Sequence, residues 1–346
     1  MTNQWTMRGT AGAVVRWLAL PTAALTVGCI TGTERAVQDE APPAVTAARP
    51  EVREGYALTP DGVKLWYRVV GTGRETVILN AANYHRDSFD ALVTPARRVV
   101  LYDIRGRGKT DSVPPAKTGI VEFDAADIEV IREAVGADSV ALIGWSGGAL
   151  SVFRYALLYP TRVTRIILLA PVGPRWVPWW DDMRASAGKR ADTAAANRLA
   201  KRVRAGEFAQ SEGALCREQA RIGNPSTFGD TTLAHLAPDV CDSPNEWPAR
   251  YGAFVGRLLG KLGKYDWRGD LAKVRAPRLV IHGERDNPPL GGSQEWVAGL
   301  PAARLLVMNG VGHWPQLERP KEALEAIRAF LDGQWPLGSE LVPGKP

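Results

Sequence analysis

The ten residues "ALIGWSGGAL", Ala141 to Leu150, decide the fold. An apolar run ends in Gly144-Trp145-Ser146-Gly147-Gly148, and a helical pattern, "ALSVFRYALLYP", follows at once. A strand that turns directly into a helix holds its apex residue in a strained backbone conformation, with the side chain exposed beyond the end of the strand. Serine stands at that apex. The flanking glycines leave space where side chains would collide with the neighbouring strand or helix. The N-terminus of the following helix turns free N–H groups toward any negative charge that develops there. Ser146 is therefore the candidate nucleophile; the alternative is a tight glycine-rich turn around an ordinary serine.

Outward from this turn, short apolar runs alternate with amphipathic segments. "TVILN" (76–80), "RVVLYD" (98–103), "RIILLAP" (165–171), "RLVIHG" (278–283) and "RLLVMNG" (304–310) join 139–146 as continuous apolar stretches, suited to strands buried on both faces of a parallel sheet. Residues 123–136 place Ile128, Ile131 and Val135 on one helical face and end at Gly136; 321–332 do the same with Leu324, Ile327 and Leu331 before Gly333. Before them "GYALTPDGVKLWYRVVG" reads as a hairpin about Pro60-Asp61-Gly62. The pattern predicts an α/β fold.

A serine hydroxyl needs a base, and the base an orienting carboxylate. The chain has 4 histidines. His85 follows the first long strand, His235 falls in a helical insertion and His282 inside a strand. His313, in "NGVGHWPQLERP", lies between the last strand and the last helix, at the end of the sheet where open α/β folds bind ligands. It is the candidate base. Asp286, in "VIHGERDNPPL", is the candidate carboxylate, with Glu284 of the same loop as its fallback.

Ser146, Asp286 and His313 occur in the order Ser…Asp…His, which resembles the α/β-hydrolase superfamily over nearly all of 55–333. The resemblance implies a mostly parallel sheet with helices on both faces and an inserted, mainly helical lid. It also accounts for "YDIRGRGKTDS" (102–112), whose Gly-Lys-Thr imitates a phosphate loop. A phosphate loop requires glycine five residues before the Gly-Lys pair, and Asp103 stands there. Asp103, Arg105, Gly106, Gly108 and Thr110 match instead the superfamily's Asp-x-Arg-Gly-x-Gly-x-Ser/Thr turn, a structural support, with Lys109 in solvent. One departure stands out: the superfamily's usual His-Gly after its third strand is Asn80-Ala81 in "LNAANYHR". A backbone N–H survives any substitution but proline, so the N–H groups of Ala82 and Trp145 are the expected oxyanion donors. Asn80 and Tyr84 are candidate side-chain donors to a substrate.

Residues 173–267 interrupt the strand–helix rhythm and form the expected lid. Trp176, Trp179 and Trp180 cluster at its start, where they could wall an apolar pocket or pack the lid onto the core. Its acidic residues suit a substrate ammonium, as in the proline-iminopeptidase-like branch that the chain resembles, although that branch's His-Gly-Gly-Pro-Gly stretch is missing. Residues 51–172 and 268–333 are assigned to the core, 29–50 to a linker and 334–346 to a loose tail.

Residues 1–28 contain no Asp, Glu or Lys and carry Arg8 and Arg16 before "WLALPTAALTVGC", a pattern that predicts export. "LTVGC" resembles a lipoprotein box, which makes Cys29 a candidate lipidation site and a membrane tether possible. Cys216 and Cys241 could close a disulfide in an oxidising compartment; two free buried thiols are the alternative. A net charge of +6 without a dense basic run disfavours nucleic-acid partners. No Cys/His cluster has metal-ligand spacing, and no metal or organic cofactor is expected.

The expected activity is thus hydrolysis of an ester, lactone or amide in a small-molecule or peptide substrate. An inactive, surface-anchored ligand-binding protein on the same scaffold is the competing class.

Overall fold

The computed structural model describes residues 50–344. The export segment 1–28, Cys29 and the linker up to residue 49 lie outside the described residues.

An N-terminal hairpin of β1 (Val52–Leu58) and β2 (Lys64–Val70) precedes β3 (Glu75–Asn80), the single helical turn α1 (Ala82–His85), β4 (Arg97–Tyr102), α2 (Val121–Ala134), β5 (Val140–Trp145), α3 (Gly148–Leu158) and β6 (Val163–Leu169). The insertion then contributes α4 (Trp179–Arg190), α5 (Thr193–Arg204), α6 (Glu212–Gly223) and α7 (Pro248–Leu262). The core resumes with β7 (Arg278–Gly283), α8 (Leu290–Glu295), β8 (Ala303–Met308), α9 (Pro315–Glu318) and α10 (Pro320–Leu331). The eight strands form one sheet in the order β1-β2-β4-β3-β5-β6-β7-β8. Only the pairings of β2 with β1 and β4 are antiparallel.

The apolar runs are continuous because both faces of the sheet are covered. Ile78, Val100, Leu142, Ile166 and Val280 pack against Ile128 and Ile131 of α2 and Phe153 of α3. Their neighbours Leu79, Leu101, Ile143, Ile167 and Ile281 pack on the other side with Ile327 and Phe330 of α10. With a strand's side-chain period of two, every residue of such a strand is a core residue.

The lid leaves and re-enters through a narrow neck, where Arg175 bridges Asp266 and the Trp176 N–H donates to the Tyr265 carbonyl at 2.8 Å. Within it Cys216 of α6 is joined to Cys241 by a disulfide with 5.7 Å between Cα atoms. Closing a loop of this length removes conformational freedom from the unfolded chain worth about 3.5 kcal/mol.

The C-terminal tail is not loose. Leu305 and Glu340 exchange backbone hydrogen bonds at 2.9 and 2.8 Å, the Gly299 N–H donates to Val342, and Trp335 packs on Phe330. Unpaired N–H and C=O groups on the outer strand β8 supply partners to a Pro/Gly-rich segment that has no regular structure of its own.

Asp124, in the first turn of α2, is buried, with Oδ1 lacking a hydrogen-bond partner among the described residues. Burial, reinforced by Asp127, pushes its pKa up to about 8. The folded state therefore holds a proton that the unfolded state releases near pH 4, so this group's contribution to stability falls as pH rises from about 4 to about 8, by at most about 1.4 kcal/mol per pH unit. Asp124→Asn is expected to raise the melting temperature at pH 9 and leave it unchanged at pH 4; parallel thermal melts check this, and an equal shift at both pH values contradicts it.

Candidate active site

The loops after β3, β5, β7 and β8 meet at one end of the sheet. Ser146, the apex of the turn between β5 and α3, has φ +54°, the strained left-handed region expected of it. The following turn is closely packed: a Cβ on Gly148 would lie 2.6 Å from both polar atoms of the buried Asn80 side chain. Any larger residue there would have to displace the buried Asn80 side chain.

Between the loops after β8 and β7, His313 Nδ1 lies 2.8 Å from Asp286 Oδ1. The Asp286 side chain is fully buried and that of His313 is 13 % exposed. With the carboxylate accepting from Nδ1–H, Nε2 is left to take a proton. Glu284, the fallback carboxylate, is engaged elsewhere: its Oε2 accepts the Gly310 N–H at 2.8 Å. The other histidines have different roles. His282 is buried, its Nδ1 2.9 Å from the Ser293 hydroxyl, and burial lowers its pKa. His85 is buried edge-on to Trp145; burial, then the proximity of His313, lowers its pKa to about 3, so its imidazole is neutral. His235 is exposed and lies against its own turn, with Nδ1 2.8 Å from the Thr232 carbonyl.

The oxyanion loop begins with Ala81, which adopts φ 60°, ψ 48° at the start of α1. An alanine here bears a strain of about 1–2 kcal/mol that glycine would not. Asp103 holds the loop: its Oδ1 accepts the Asn83 N–H and its Oδ2 the Lys109 N–H, both at 2.8 Å. A Cβ on Gly108, at φ +48°, would sit 2.1 Å from Asp103 Oδ2. The Gly-Lys-Thr at 108–110 thus serves the oxyanion loop through Asp103, whose pKa burial raises to about 6.

Three site assignments change. Trp145 is the last residue of β5, ahead of the turn, whereas Gly147 follows the serine as the N-cap of α3, where backbone N–H groups lack intrahelical partners. Gly147, rather than Trp145, therefore has the N–H placed to join Ala82 as a candidate donor, and Trp145 contributes its indole, which donates to the His313 carbonyl at 3.0 Å. Tyr84 is not a free donor, because its hydroxyl is held by Arg107 at 2.9 Å and Glu246 at 3.2 Å. The three lid tryptophans pack the base of the lid rather than wall a pocket. Trp176 stacks on Trp180, Trp180 donates to the Tyr265 hydroxyl, and Trp179 is wedged between Gly173 and Gly291 while donating to Glu295 at 2.7 Å. Asn80 remains beside the site, neither of its polar side-chain atoms hydrogen-bonded among the described residues.

The aromatic surface around His313 comes instead from Trp145, 5.0 Å away between ring centroids, from Trp314, 4.5 Å from Trp145, and from Tyr84 and Phe228. Scattered single aromatics gave no periodic signal that would have marked them. The lid closes on this surface through Glu246, whose carboxylate pairs with Arg107 and accepts the Gly108 N–H at 2.9 Å. A cleft of about 640 Å³ opens at the opposite ends of the central strands, beside Arg74, Arg98 and Arg165.

This fold and this arrangement define a hydrolase of the α/β class. Residues 76–320 match the family model for the alpha/beta hydrolase fold, and the chain belongs to that family. A 2-hydroxy-6-oxononadienedioate/2-hydroxy-6-oxononatrienedioate hydrolase of Paraburkholderia phymatum is 27 % identical over 286 residues, 78 % of this chain and 91 % of that protein. A proline iminopeptidase of Saccharolobus solfataricus is 23 % identical over 301 residues, 81 % of this chain and 93 % of its own. Among solved structures, an esterase of Exiguobacterium antarcticum superposes with a TM-score of 0.61 at 18 % identity, covering 81 % of this chain and all of its own.

Proposed function

We propose that the protein is a serine hydrolase that cleaves a carboxylic ester or lactone through an acyl-enzyme on Ser146. The observation that carries this reading is the His313–Asp286 pair at 2.8 Å, tied by its His313 carbonyl to the indole of Trp145, the residue next to a serine held at positive φ. Ser146 Oγ attacks the carbonyl while His313 Nε2 takes its proton; the Ala82 and Gly147 N–H groups receive the charge that develops on the carbonyl oxygen. His313 then returns the proton to the departing alkoxide, and water repeats the sequence to free the acid. Asp286 holds the imidazole at Nδ1, and the Trp145 indole holds the His313 backbone carbonyl.

The charges around the site favour an acyl group that is neutral near its carbonyl. Glu246 could anchor a substrate ammonium, as an aminopeptidase requires, and Arg107 could anchor a substrate carboxylate. They neutralise each other instead. Export into an oxidising compartment belongs to the same proposal, supported by the Cys216–Cys241 disulfide.

The test is covalent labelling by a fluorophosphonate probe, followed by a panel of neutral acyl esters set against aminoacyl arylamides. Probe mass on the peptide containing Ser146, with turnover of esters over arylamides, is the expected result. A folded sample that takes up no probe sinks the catalytic reading in favour of a binding protein.

A further inference from the structure

Between α6 and α7 the lid sends down a short strap, Ser226 to Asp230, that lies directly on the loop carrying His313. The Thr227 carbonyl accepts the His313 N–H at 2.7 Å, and the Thr227 hydroxyl accepts the Trp314 indole at 2.9 Å. Phe228, fully buried, stacks on Trp314 at 6.0 Å. Beside Asp286, the Asn287 amide donates to the Ser226 carbonyl at 3.1 Å. Two glycines permit the approach: a Cβ on Gly229 would lie 2.0 Å from the Gly310 carbonyl oxygen, and one on Gly312 2.5 Å from the Gly229 nitrogen.

One carboxylate ties the strap to the loop. Glu318 Oε1 accepts the Gly312 N–H at 2.8 Å, and Oε2 accepts the N–H groups of Gly229 at 2.8 Å and Asp230 at 3.3 Å. Glu318 is 8 % exposed and has no cationic partner among its hydrogen bonds, so backbone amides from two separate segments solvate its charge. An acceptor buried at that cost, spanning lid and loop, fixes the position of one relative to the other. The lid is then more than a cover: it supplies the backbone acceptor that, with Asp286 and the Trp145 indole, holds His313 from three sides.

We propose that the strap Ser226–Asp230 positions His313 for catalysis and that Glu318 is the positioning residue coupling lid to histidine. The proposal rests on the serine-hydrolase reading for its kinetic consequences and on geometry alone for its effect on the imidazole. In Glu318→Gln an NH₂ group replaces one oxygen and must face an N–H donor, so either the strap or Gly312 loses its acceptor. Displacing a reacting group by about 1 Å is enough to cost on the order of 100-fold. The expected result is a fall in kcat of about 10- to 100-fold with KM changed less than about twofold, together with a shift in the pH profile of kcat. Thr227→Val, which removes the acceptor for Trp314 and the hydroxyl's own hydrogen bond to the Asn224 carbonyl while keeping the Thr227 carbonyl that holds His313, is expected to lower kcat several-fold and covers the case in which Glu318→Gln does not fold.

A readout independent of turnover is the imidazole itself. With 4 histidines in the chain, ¹⁵N-labelled His313 can be assigned by comparison with His313→Gln and its tautomer and titration followed directly. The wild type is expected to keep the hydrogen on Nδ1, and both variants to show a mixed tautomer population and a displaced titration midpoint. An unchanged tautomer and midpoint, or a lower melting temperature with kcat and its pH profile intact, overturns the proposal. A wild type that neither labels nor turns over esters defeats the hydrolase reading, and the imidazole spectrum still decides whether the strap positions His313.

Discussion

Ser146→Ala is expected to lower kcat on an ester substrate by about a millionfold and to leave the thermal melt unchanged. In the proposed reaction the hydroxyl is the attacking atom, and alanine at the apex retains the turn, because the packing about Gly148 and Asn80 does not involve that oxygen. Asp286→Asn is expected to cost less, about ten-thousandfold. Its amide presents the wrong hydrogen-bonding group to His313 Nδ1 in one of its two orientations and a weaker acceptor in the other. The difference between the two variants identifies their roles. Loss of a nucleophile removes probe labelling altogether, whereas loss of the orienting carboxylate slows labelling in proportion to kcat. Equal activity of Asp286→Asn and wild type would show that another group orients the base.

The second large effect is on stability. Arg107 and Glu246 form a buried ion pair, with side chains 6 % and 1 % exposed, that joins the Gly-rich turn to the lid. Arg107 also lies over the rings of Tyr251 and Phe254 on α7, at 4.9 and 4.6 Å. Arg107→Met leaves the Glu246 carboxylate without a counter-charge in a dry site, and is expected to cost about 3–5 kcal/mol in urea unfolding. Arg107→Met combined with Glu246→Leu buries no charge, and is expected to recover most of that loss. Additive single and double variants would show that the two residues act independently, contrary to the geometry.

Much of this site was legible in the chain because it is built from local motifs. The turn around Ser146, the loop positions of Asp286 and His313 and the Asp103-to-Thr110 turn each occupy a few consecutive residues, and each constrains the backbone in a way that fixes residue type. What escaped was long-range. Glu246 reaches Arg107 across 139 residues and Gly229 reaches Glu318 across 89; nothing near any of them in the sequence signals a partner. The lid tryptophans left two readings open for a related reason. Clustered aromatics suit a pocket wall and a packed hinge equally, and Gly291, which admits Trp179, lies far along the chain. Asn80-Ala81 was visible as a departure, but its consequence, an alanine in the left-handed region, required the backbone angles.

The short tail that pairs with Leu305 makes the two margins of the sheet unequal. At one margin β8 has spent its central N–H and C=O on Glu340; at the other, among the described residues, β1 is bonded on one side alone, to β2, with Tyr56 and Leu58 more than half exposed. A sheet with two open margins can polymerise without limit, copy upon copy. Capped at its centre, β8 is the poorer template, so any edge-to-edge pairing of copies would run β1 to β1 about a two-fold axis. The backbone of Glu340 thus blunts one edge of the sheet against strand addition, far from the chemistry.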